Sequence, residues 1–368
     1  MRPARKAKDA RRKRGFRAAA HVPLALWTPE VAVFTFIILL VSARMRAAAI
    51  LGLGCSPRDL KPFQSDKSVE WRLGVPAAGD VDAVLVFGGD GTVHRHLGQL
   101  VQVGVPVLVV PAGSGNDFAR ALGVPRVRDS VAAWGKFCAA GTNVRAIDLG
   151  LIVPGESSNE GGSRPGGGES PTSRKSSEKW DTPGSSDSIV SSPQGPKGPR
   201  YFCCVAGVGL DGEVARRANG LPRWLRGHGG YALSFAPSIF SFAPVPIRIS
   251  IGDGYGWTPR SDGPTLLAAI ANTPTYGGGM KIAPRAKMDD GLLDVCVVGD
   301  VGKIKLAAVF PTVYRGKHLG IKEVSYFPAP QVRLETERPL DVYADGEFVC
   351  RTPVEVGVRA AAIRVITL

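Results

Sequence analysis

Three glycines and an acidic residue follow an apolar run at residues 81–92, whose sequence is VDAVLVFGGDGT. Glycine lets the backbone approach a ligand closely, so consecutive amide groups can point at anionic oxygens. A carboxylate among them suits a divalent cation or a substrate hydroxyl. This pattern predicts a phosphate-binding turn; a strand-to-helix connection that merely needs glycine is the alternative. The candidate residues are Gly88, Gly89, Asp90, Gly91 and Thr92.

The flanking segments predict the elements that position this turn. Residues 81–87 are apolar and rich in branched side chains, which is typical of a parallel strand covered on both faces. Thr92 stands where a helix N-cap is expected, and the apolar residues after it recur at helical spacing. The positive end of that helix would face the same place as the glycine amides.

A second turn of the same kind follows the next apolar run. Residues 105–110 predict another buried strand, and PAGSGNDFARAL follows at 111–122. Glycine-rich turns at the carboxyl ends of neighbouring parallel strands form a crevice, where nucleotides bind in open α/β sheets. The candidate nucleotide-binding residues of this turn are Gly113, Ser114, Gly115 and Asn116.

Together, GGDGT at 88–92 and PAGSGNDFARALGV at 111–124 resemble the diacylglycerol kinase catalytic domain family, which includes bacterial lipid kinases, sphingosine kinases and ceramide kinases. The resemblance covers most of residues 46–368 apart from one insertion. It implies an α/β N-terminal domain with an open parallel sheet, NAD kinase/phosphofructokinase-like, and a β-rich, sandwich-like C-terminal domain. The implied activity is an ATP- and Mg²⁺-dependent lipid kinase, most simply converting diacylglycerol to phosphatidic acid.

Two other functions stay open. NAD kinases also carry G-G-D-G, but their second loop differs from PAGSGNDFAR. A catalytically silent nucleotide- or lipid-binding regulator is the other alternative, because the first loop departs from the family's N-P-x-S-G pattern. In its place stands GLGCSPRDLKPF at 52–63, where Gly52, Gly54 and Ser56 could offer backbone donors and the usual long helix is missing or abbreviated.

Two acidic motifs of the second domain gain roles from the resemblance. In YADGEFV at 343–349, it makes Asp345 the general base and Glu347 its polar support; a plain hairpin turn is the alternative. In KMDDGLLDV at 287–295, it assigns the Asp290 carboxylate and the backbone oxygens of Lys287 and Leu292 to a structural Mg²⁺. Oxygen ligands suit that ion, although an ordinary Asp-Asp-Gly turn explains the spacing equally.

The net charge of +14 is concentrated at the N-terminus. Residues 1–17 hold nine Lys or Arg and one Asp, a net +8, which leaves +6 for the rest. This mild excess suits ATP and an anionic membrane surface, and no aromatic-basic motif for nucleic acid accompanies it. The six cysteines show no C-x-x-C pair and no metal-type grouping with histidines, so we expect reduced, mostly buried thiols in a cytoplasmic protein.

Residues 1–44 form an extension of a basic arm and an apolar stretch at 22–43. A true span would hold the basic arm in the cytoplasm and place the kinase domain outside, away from ATP. We therefore expect translation to start at Met45, with a hairpin-like or interfacial anchor as the alternative. The expected domains are 45–147, which binds nucleotide, and 148–368, which binds lipid; whether the chain forms a homodimer is left open.

Within the second domain, residues 154–200 are rich in Gly, Ser and Pro and predict a disordered insertion, passive rather than phosphoregulated. Strand-like segments dominate from residue 201, beginning with YFCCVAGVG, and a helix at 301–310 is expected to stop near Pro311. The basic, aromatic stretch RRANGLPRWLRGH at 216–228 could meet anionic headgroups, which would make membrane association peripheral; a solvated helix face is the alternative.

Overall fold

The computed structural model describes residues 44–155, 199–220, 237–238 and 241–368. The expectations for the N-terminal extension, for most of the 154–200 insertion and for residues 221–228 fall outside these ranges. Residues 45–368 form one compact unit. Among the described residues, none of the helices has the length and apolarity needed to cross a membrane.

The N-terminal half is a parallel sheet in the spatial order β2–β1–β3–β4. Every residue of β3 and β4 is buried, as the unbroken apolar runs predict. The elements of this half are β1 (Met45–Leu51), a 3-10 helix (Pro57–Phe63), β2 (Val69–Leu73), β3 (Ala83–Gly88), α1 (Asp90–Val103), β4 (Val107–Pro111), α2 (Asp117–Ala121) and α3 (Val127–Ala140).

The first connection is short, as expected: one 3-10 helix stands where the family has a long helix. Its Ser56 N–H donates to Asp59 Oδ2 at 2.7 Å, and Gly52 N–H donates to Phe87 O at 2.7 Å. Both amides are thus used within the protein rather than offered to a ligand. Strand β2 was not predicted, because VEWRL at the sheet edge has only one fully buried residue, Val69.

The C-terminal half is antiparallel within itself and forms a β-sandwich. Its elements are β5 (Val144–Pro154), β6 (Arg200–Phe202), β7 (Val205–Gly209), α4 (Leu210–Gly220), β8 (Val245–Gly252), β9 (Trp257–Ala271), β10 (Leu293–Gly299), α5 (Lys303–Val313), a 3-10 helix (Lys317–Gly320), β11 (Val324–Ala329), β12 (Gln331–Glu335), β13 (Asp341–Ala344), β14 (Glu347–Arg351) and β15 (Val354–Ile366). The helix expected at 301–310 begins at Lys303 and ends at Val313, two residues after Pro311, so the proline falls in its last turn.

Side chains of β9 alternate between two hydrophobic clusters. Ala268 and Ile270 face the cluster between the sandwich layers, whereas Leu267 and Ala269 face the cluster shared with the N-terminal half. Successive side chains of a strand point to opposite faces, so one strand serves both cores. The expected single strand YFCCVAGVG is broken at Cys203 and Cys204, between β6 and β7.

The two halves are joined through the last strand. β15 runs antiparallel to β5 along most of its length, and its end pairs in parallel with β4 at Val365 and Val107. One hydrogen-bonded network of fifteen described strands therefore crosses both halves. This continuity fixes the C-terminal hairpin β13–β14 relative to the carboxyl ends of β3 and β4.

Candidate functional site

The first glycine turn leads directly into α1. Gly89 has extended backbone angles and serves as the N-cap, so α1 begins at Asp90. Thr92 therefore lies in the first helical turn, and its expected place as N-cap was wrong. Its N–H donates to Gly89 O at 2.9 Å. The positive end of α1 nonetheless points where the sequence predicts, toward the space beyond the strand.

The second turn packs against the first. A Cβ added to Gly113 would lie 2.4 Å from the Cα of Gly89, so this backbone contact requires glycine. Asn116 shapes the turn from within: it has a φ of 51°, accepts the Gly113 N–H at 2.9 Å and donates its amide to Gly113 O at 2.6 Å. The Asn116 side chain is thus bonded to its own loop.

Asp90 ties the two turns together. Its carboxylate accepts the N–H groups of Asp117 and Phe118, both at 3.0 Å, at the start of α2. Burial raises the pKa of Asp90 to about 6; the Phe118 N–H opposes this shift, and the charge of Asp117 adds to it. The carboxylates of Asp90 and Asp117 thus lie near each other where the two turns meet, and burial disfavours the ionised form of both.

Asp117 was missed by the sequence reasoning. It is 2% exposed, pairs with Arg120, and accepts the N–H of Gly278 at 2.7 Å from the loop at 275–280. Burial raises its pKa as well. Its position in the first turn of a helix after a glycine loop was the signal that could have found it. The partner comes from the glycine-rich segment TYGGGMKIAP at 275–284.

Asp345 lies at the tip of the β13–β14 hairpin. It has a φ of 51° and Gly346 a φ of 85°, so both residues of the turn are left-handed. The Asp345 side chain has no exposed surface. Its carboxylate accepts backbone N–H groups from Cys203, Cys204 and Val205 at 2.9, 2.8 and 3.2 Å. The break between β6 and β7 supplies these donors.

Helix α1 of the other half also contacts this hairpin. His94 Nδ1 lies 3.0 Å from Asp345 Oδ2, and the His94 side chain is 8% exposed. His94 follows Asp90 by four residues, so both lie on one face of α1; that spacing was the signal by which the sequence could have pointed to it. The Glu347 carboxylate lies against Gly91, 2.9 Å from where a Cβ would stand.

All these parts line one cleft of about 400 Å³. Of the predicted residues, Gly88 and Asn116 lie behind its surface, and Lys287, Asp290 and Leu292 lie elsewhere. The predicted residues that line it are Gly89, Asp90, Gly91, Thr92, Gly113, Ser114, Gly115, Asp345 and Glu347; residues that the sequence reasoning did not place there include Leu53, Arg95, Asp117, Cys204, Val205 and Tyr276.

The predicted structural Mg²⁺ residues lie in a turn before β10. Asp290 is exposed, and its Oδ1 accepts the Leu292 N–H at 3.1 Å. Burial raises the pKa of the nearby Asp294, and the charge of Asp290 adds to that shift. The carboxylate and backbone oxygens of this turn are the ligand type that a hard divalent cation prefers.

An apolar cavity adjoins the cleft. Tyr276 lines both spaces. The walls come from β9, α5 and the segments around them, and include Leu266, Met280, Leu306, Phe310 and Val324. Arg216 and Arg217 of α4 belong to the stretch for which headgroup contact and a solvated helix face were both left open, and both pair with Glu213.

Comparison with known proteins agrees with this architecture. The model of the diacylglycerol kinase catalytic domain matches residues 64–152, and that of the YegS C-terminal NAD kinase beta sandwich-like domain matches residues 204–367. A crystal structure of a diacylglycerol kinase from Bacillus anthracis str. Sterne superposes with a TM-score of 0.55 and 18% identity, covering 88% of this chain and 97% of that one. At that identity, the likeness supports the fold alone.

Curated relatives cover most of the chain. A diacylglycerol kinase of Mycobacterium tuberculosis is 33% identical over 300 residues, which is 80% of this chain and 79% of that protein. A diacylglycerol kinase of Bacillus subtilis is 24% identical over 282 residues, covering 75% and 74%. These matches confirm the resemblance seen in the two glycine motifs, and the chain belongs to the diacylglycerol kinase family of lipid kinases.

Proposed function

We propose that the protein transfers the γ-phosphoryl group of ATP to a lipid hydroxyl, most simply that of diacylglycerol, giving phosphatidic acid. The observation that carries this proposal is that Asp345 of the β-sandwich lines the same cleft as Gly89 and Gly113. A triphosphate held by the glycine turns would have a carboxylate within reach of the acceptor hydroxyl. Phosphoryl transfer depends mainly on such positioning and on charge neutralisation.

The glycine turns would hold the phosphates through backbone amides and the N-terminus of α1. Thr92 and Ser114 add hydroxyl groups along the same wall. The carboxylates of Asp90 and Asp117 lie near each other there, and both have raised pKa values because they are buried. This donor set fits a Mg²⁺ ion accompanying ATP, which would neutralise phosphate charge when bound.

Asp345 would take the proton from the acceptor hydroxyl. Three backbone N–H groups and His94 fix the direction of its carboxylate. A positioned general base contributes about 10²–10⁴ in rate. Glu347 lies beside Gly91 at the mouth of the cleft and would support the base as a polar neighbour.

The adjoining apolar cavity favours a lipid acceptor over a nicotinamide dinucleotide. Tyr276 lines both the cleft and this cavity of about 50 Å³, so a lipid with its hydroxyl at the phosphates would place the first part of an acyl chain against apolar walls such as Leu306 and Phe310. Contact with apolar walls stabilises the bound lipid because it removes hydrocarbon surface from water. With ATP as donor and a membrane lipid as acceptor, we expect a cytoplasmic protein that associates peripherally with the membrane.

A structural Mg²⁺ would be held by Asp290 and the backbone oxygens of Lys287 and Leu292. The turn precedes β10, and its neighbour Asp148 bonds the N–H groups of Gly291 and Ala361 at 2.8 Å each. An ion there would reinforce a junction between the turn and β15.

Labelled phosphate distinguishes the proposed function from its alternatives. The full chain is incubated with γ-labelled ATP, Mg²⁺ and either diacylglycerol micelles, total lipid extract or NAD⁺, and products are identified by mass spectrometry. We expect phosphatidic acid from diacylglycerol. Label in NADP would indicate an NAD kinase, and nucleotide binding without any product would indicate a silent regulator; either result overturns the proposal.

A further inference from the structure

Two adjacent cysteines lie against the carboxylate of Asp345. Cys203 and Cys204 occupy the break between β6 and β7, where the chain bends, and both are buried. Consecutive side chains of a regular strand would point to opposite faces. The bend instead brings the two sulfurs to 3.9 Å of each other.

The three side chains form a compact group of possible metal ligands. Cys203 Sγ lies 3.4 Å from Asp345 Oδ2, and the ligand atoms of all three residues lie within 4.8 Å of one another. Sequence spacing predicted no metal group among the cysteines, because the third ligand is 141 positions further along the chain. Register between β13 and β7, with Ala344 opposite Ala206, brings it there.

These separations match the edges of a tetrahedral zinc site. With zinc–sulfur bonds of about 2.3 Å and tetrahedral angles, two thiolates lie about 3.8 Å apart. With a zinc–oxygen bond of about 2.0 Å, a thiolate and a carboxylate oxygen lie about 3.5 Å apart. The observed 3.9 and 3.4 Å match two of the three edges. The third, from Cys204 Sγ to the carboxylate, lies within 4.8 Å, so rotation of the Cys204 side chain completes the tetrahedral arrangement.

We propose that Cys203, Cys204 and Asp345 form a binding site for a thiophilic divalent cation, zinc, and that the bound metal inhibits the enzyme. Soft thiolates select zinc over magnesium, which prefers oxygen ligands. Each thiol releases its proton to the solvent as its zinc–sulfur bond forms. Cys204 and Asp345 are among the residues that line the cleft, and their ligand atoms and that of Cys203 are buried beneath its surface, so a metal would enter from the cleft as these side chains move apart.

The neighbouring contacts suit such a site. His94 Nδ1 bonds the Asp345 carboxylate from the side of α1, in the manner in which outer groups orient metal-binding carboxylates. Inhibition follows because a carboxylate bound to zinc is no longer available to accept a hydroxyl proton. This second part rests on the proposed function, whereas metal binding itself does not.

Cobalt and zinc titrations of the full chain test binding without reference to activity. Cobalt(II) bound to two thiolates in a tetrahedron gives sulfur-to-cobalt charge-transfer absorption and strong visible bands. We expect one equivalent of each metal and these bands in the unmodified protein. A weak, octahedral cobalt spectrum would overturn the proposal, and this result needs no variant to fold.

Matched cysteine variants test where zinc binds. Cys203→Ala and Cys204→Ala should each weaken zinc affinity at least about tenfold, as loss of a ligand does at least as much as loss of an outer partner. Cys296→Ala, at another buried cysteine, on β10, should leave the affinity unchanged. Equal zinc affinity in all four proteins would overturn the proposal.

Kinase activity is then measured against zinc, relative to the metal-free rate of each variant. The two ligand variants should need at least about tenfold more zinc for half-inhibition, in step with their weaker binding. Equal sensitivity would show that zinc acts at the ATP-Mg²⁺ carboxylates, and it would overturn the inhibitory role. If no kinase activity is found, the binding titrations still decide whether the site exists.

Discussion

Two Asp-Gly turns of the β-sandwich have similar sequences and very different surroundings. In both, the glycine has a positive φ, 85° at Gly346 and 73° at Gly291. Asp345 has a fully buried side chain that accepts N–H groups from a segment 140 positions earlier. Asp290 is exposed and accepts the N–H of Leu292, two residues ahead.

The difference comes from the strands beside each turn. β13 pairs with β7, so the hairpin tip extends past the end of that strand, where the bend before Val205 turns its amides outward. At the other turn, Asp148 holds the Gly291 N–H from a distant segment, but the Asp290 carboxylate itself accepts an N–H from within the turn. The role proposed for Asp345 therefore depends on donors and a cleft that distant segments supply, and neither is visible in the turn's own sequence.

The largest expected effect is that of removing the charge at Asp345. Asp345→Asn should lower kcat by about 10²–10⁴, the usual contribution of a general base. Asp341→Asn is the matched control, since Asp341 lies on the same strand in an exposed ion pair with Arg351. Initial rates with diacylglycerol and circular dichroism of each variant provide the measurement. Near-normal turnover in Asp345→Asn would remove the assignment.

The pH dependence of stability tests the burial of Asp90, which lies on the side of the cleft opposite Asp345. Its pKa is raised to about 6 in the folded protein, so the folded state binds more protons than the unfolded chain between about pH 4 and 6. This group therefore lowers the free energy of unfolding as pH rises through that window. At about 1.4 kcal/mol per pKa unit, the total is about 3 kcal/mol.

Asp90→Asn removes this titration. The free energy of unfolding of the variant minus that of the unmodified protein should rise by about 2 kcal/mol from pH 4 to pH 7, because at pH 4 the unfolded carboxyl group is already about half ionised. Urea unfolding of metal- and nucleotide-free protein measures it. Asp262→Asn, in an exposed pair with Arg248, should show a much flatter difference. If the two variants behaved alike, the Asp90 carboxylate would not carry the burial cost described.

Local pattern was enough to predict many of the residues that line the cleft. Both glycine turns, Asp90 and the hairpin acid were found because apolar strands and flanking glycines are readable within a dozen residues. The overall fold class was also correct. Strand β2 was missed because an edge strand with alternate exposed residues lacks that apolar signal.

The partners of these residues were not predictable in the same way. Asp117 and His94 matter because of what they touch across the cleft, namely the Gly278 amide and Asp345. Those contacts depend on the register of strands far apart in sequence. The same reason hid the grouping of Cys203 and Cys204 with Asp345.

The backbone contact between Gly89 and Gly113 can be tested by adding a methyl group to it. Gly113→Ala would place a Cβ 2.4 Å from the Cα of Gly89, and the backbone must shift. Overpacking of this kind costs about 1–3 kcal/mol, and the displaced amides should also weaken ATP binding. Gly98→Ala is the matched control: it lies in α1 with open space around it and should stabilise by about 0.5–1 kcal/mol. Equal stability of the two variants would contradict the contact.

The smallest expected effect concerns the exposed turn. Mg²⁺ at ten times its dissociation constant should raise the free energy of unfolding of nucleotide-free protein by about 1.4 kcal/mol. Asp290→Asn should remove the part of this gain that comes from the turn. Asp289→Asn should keep it, because the neighbouring Asp289 pairs with Arg145 at 2.6 Å and was not assigned to the ion. Thermal unfolding with and without Mg²⁺ compares the three proteins. If Mg²⁺ stabilises Asp290→Asn as much as Asp289→Asn, the turn at Asp290 binds no ion. The two Asp-Gly turns would then differ in that only the one at Asp345 contributes to a binding cleft.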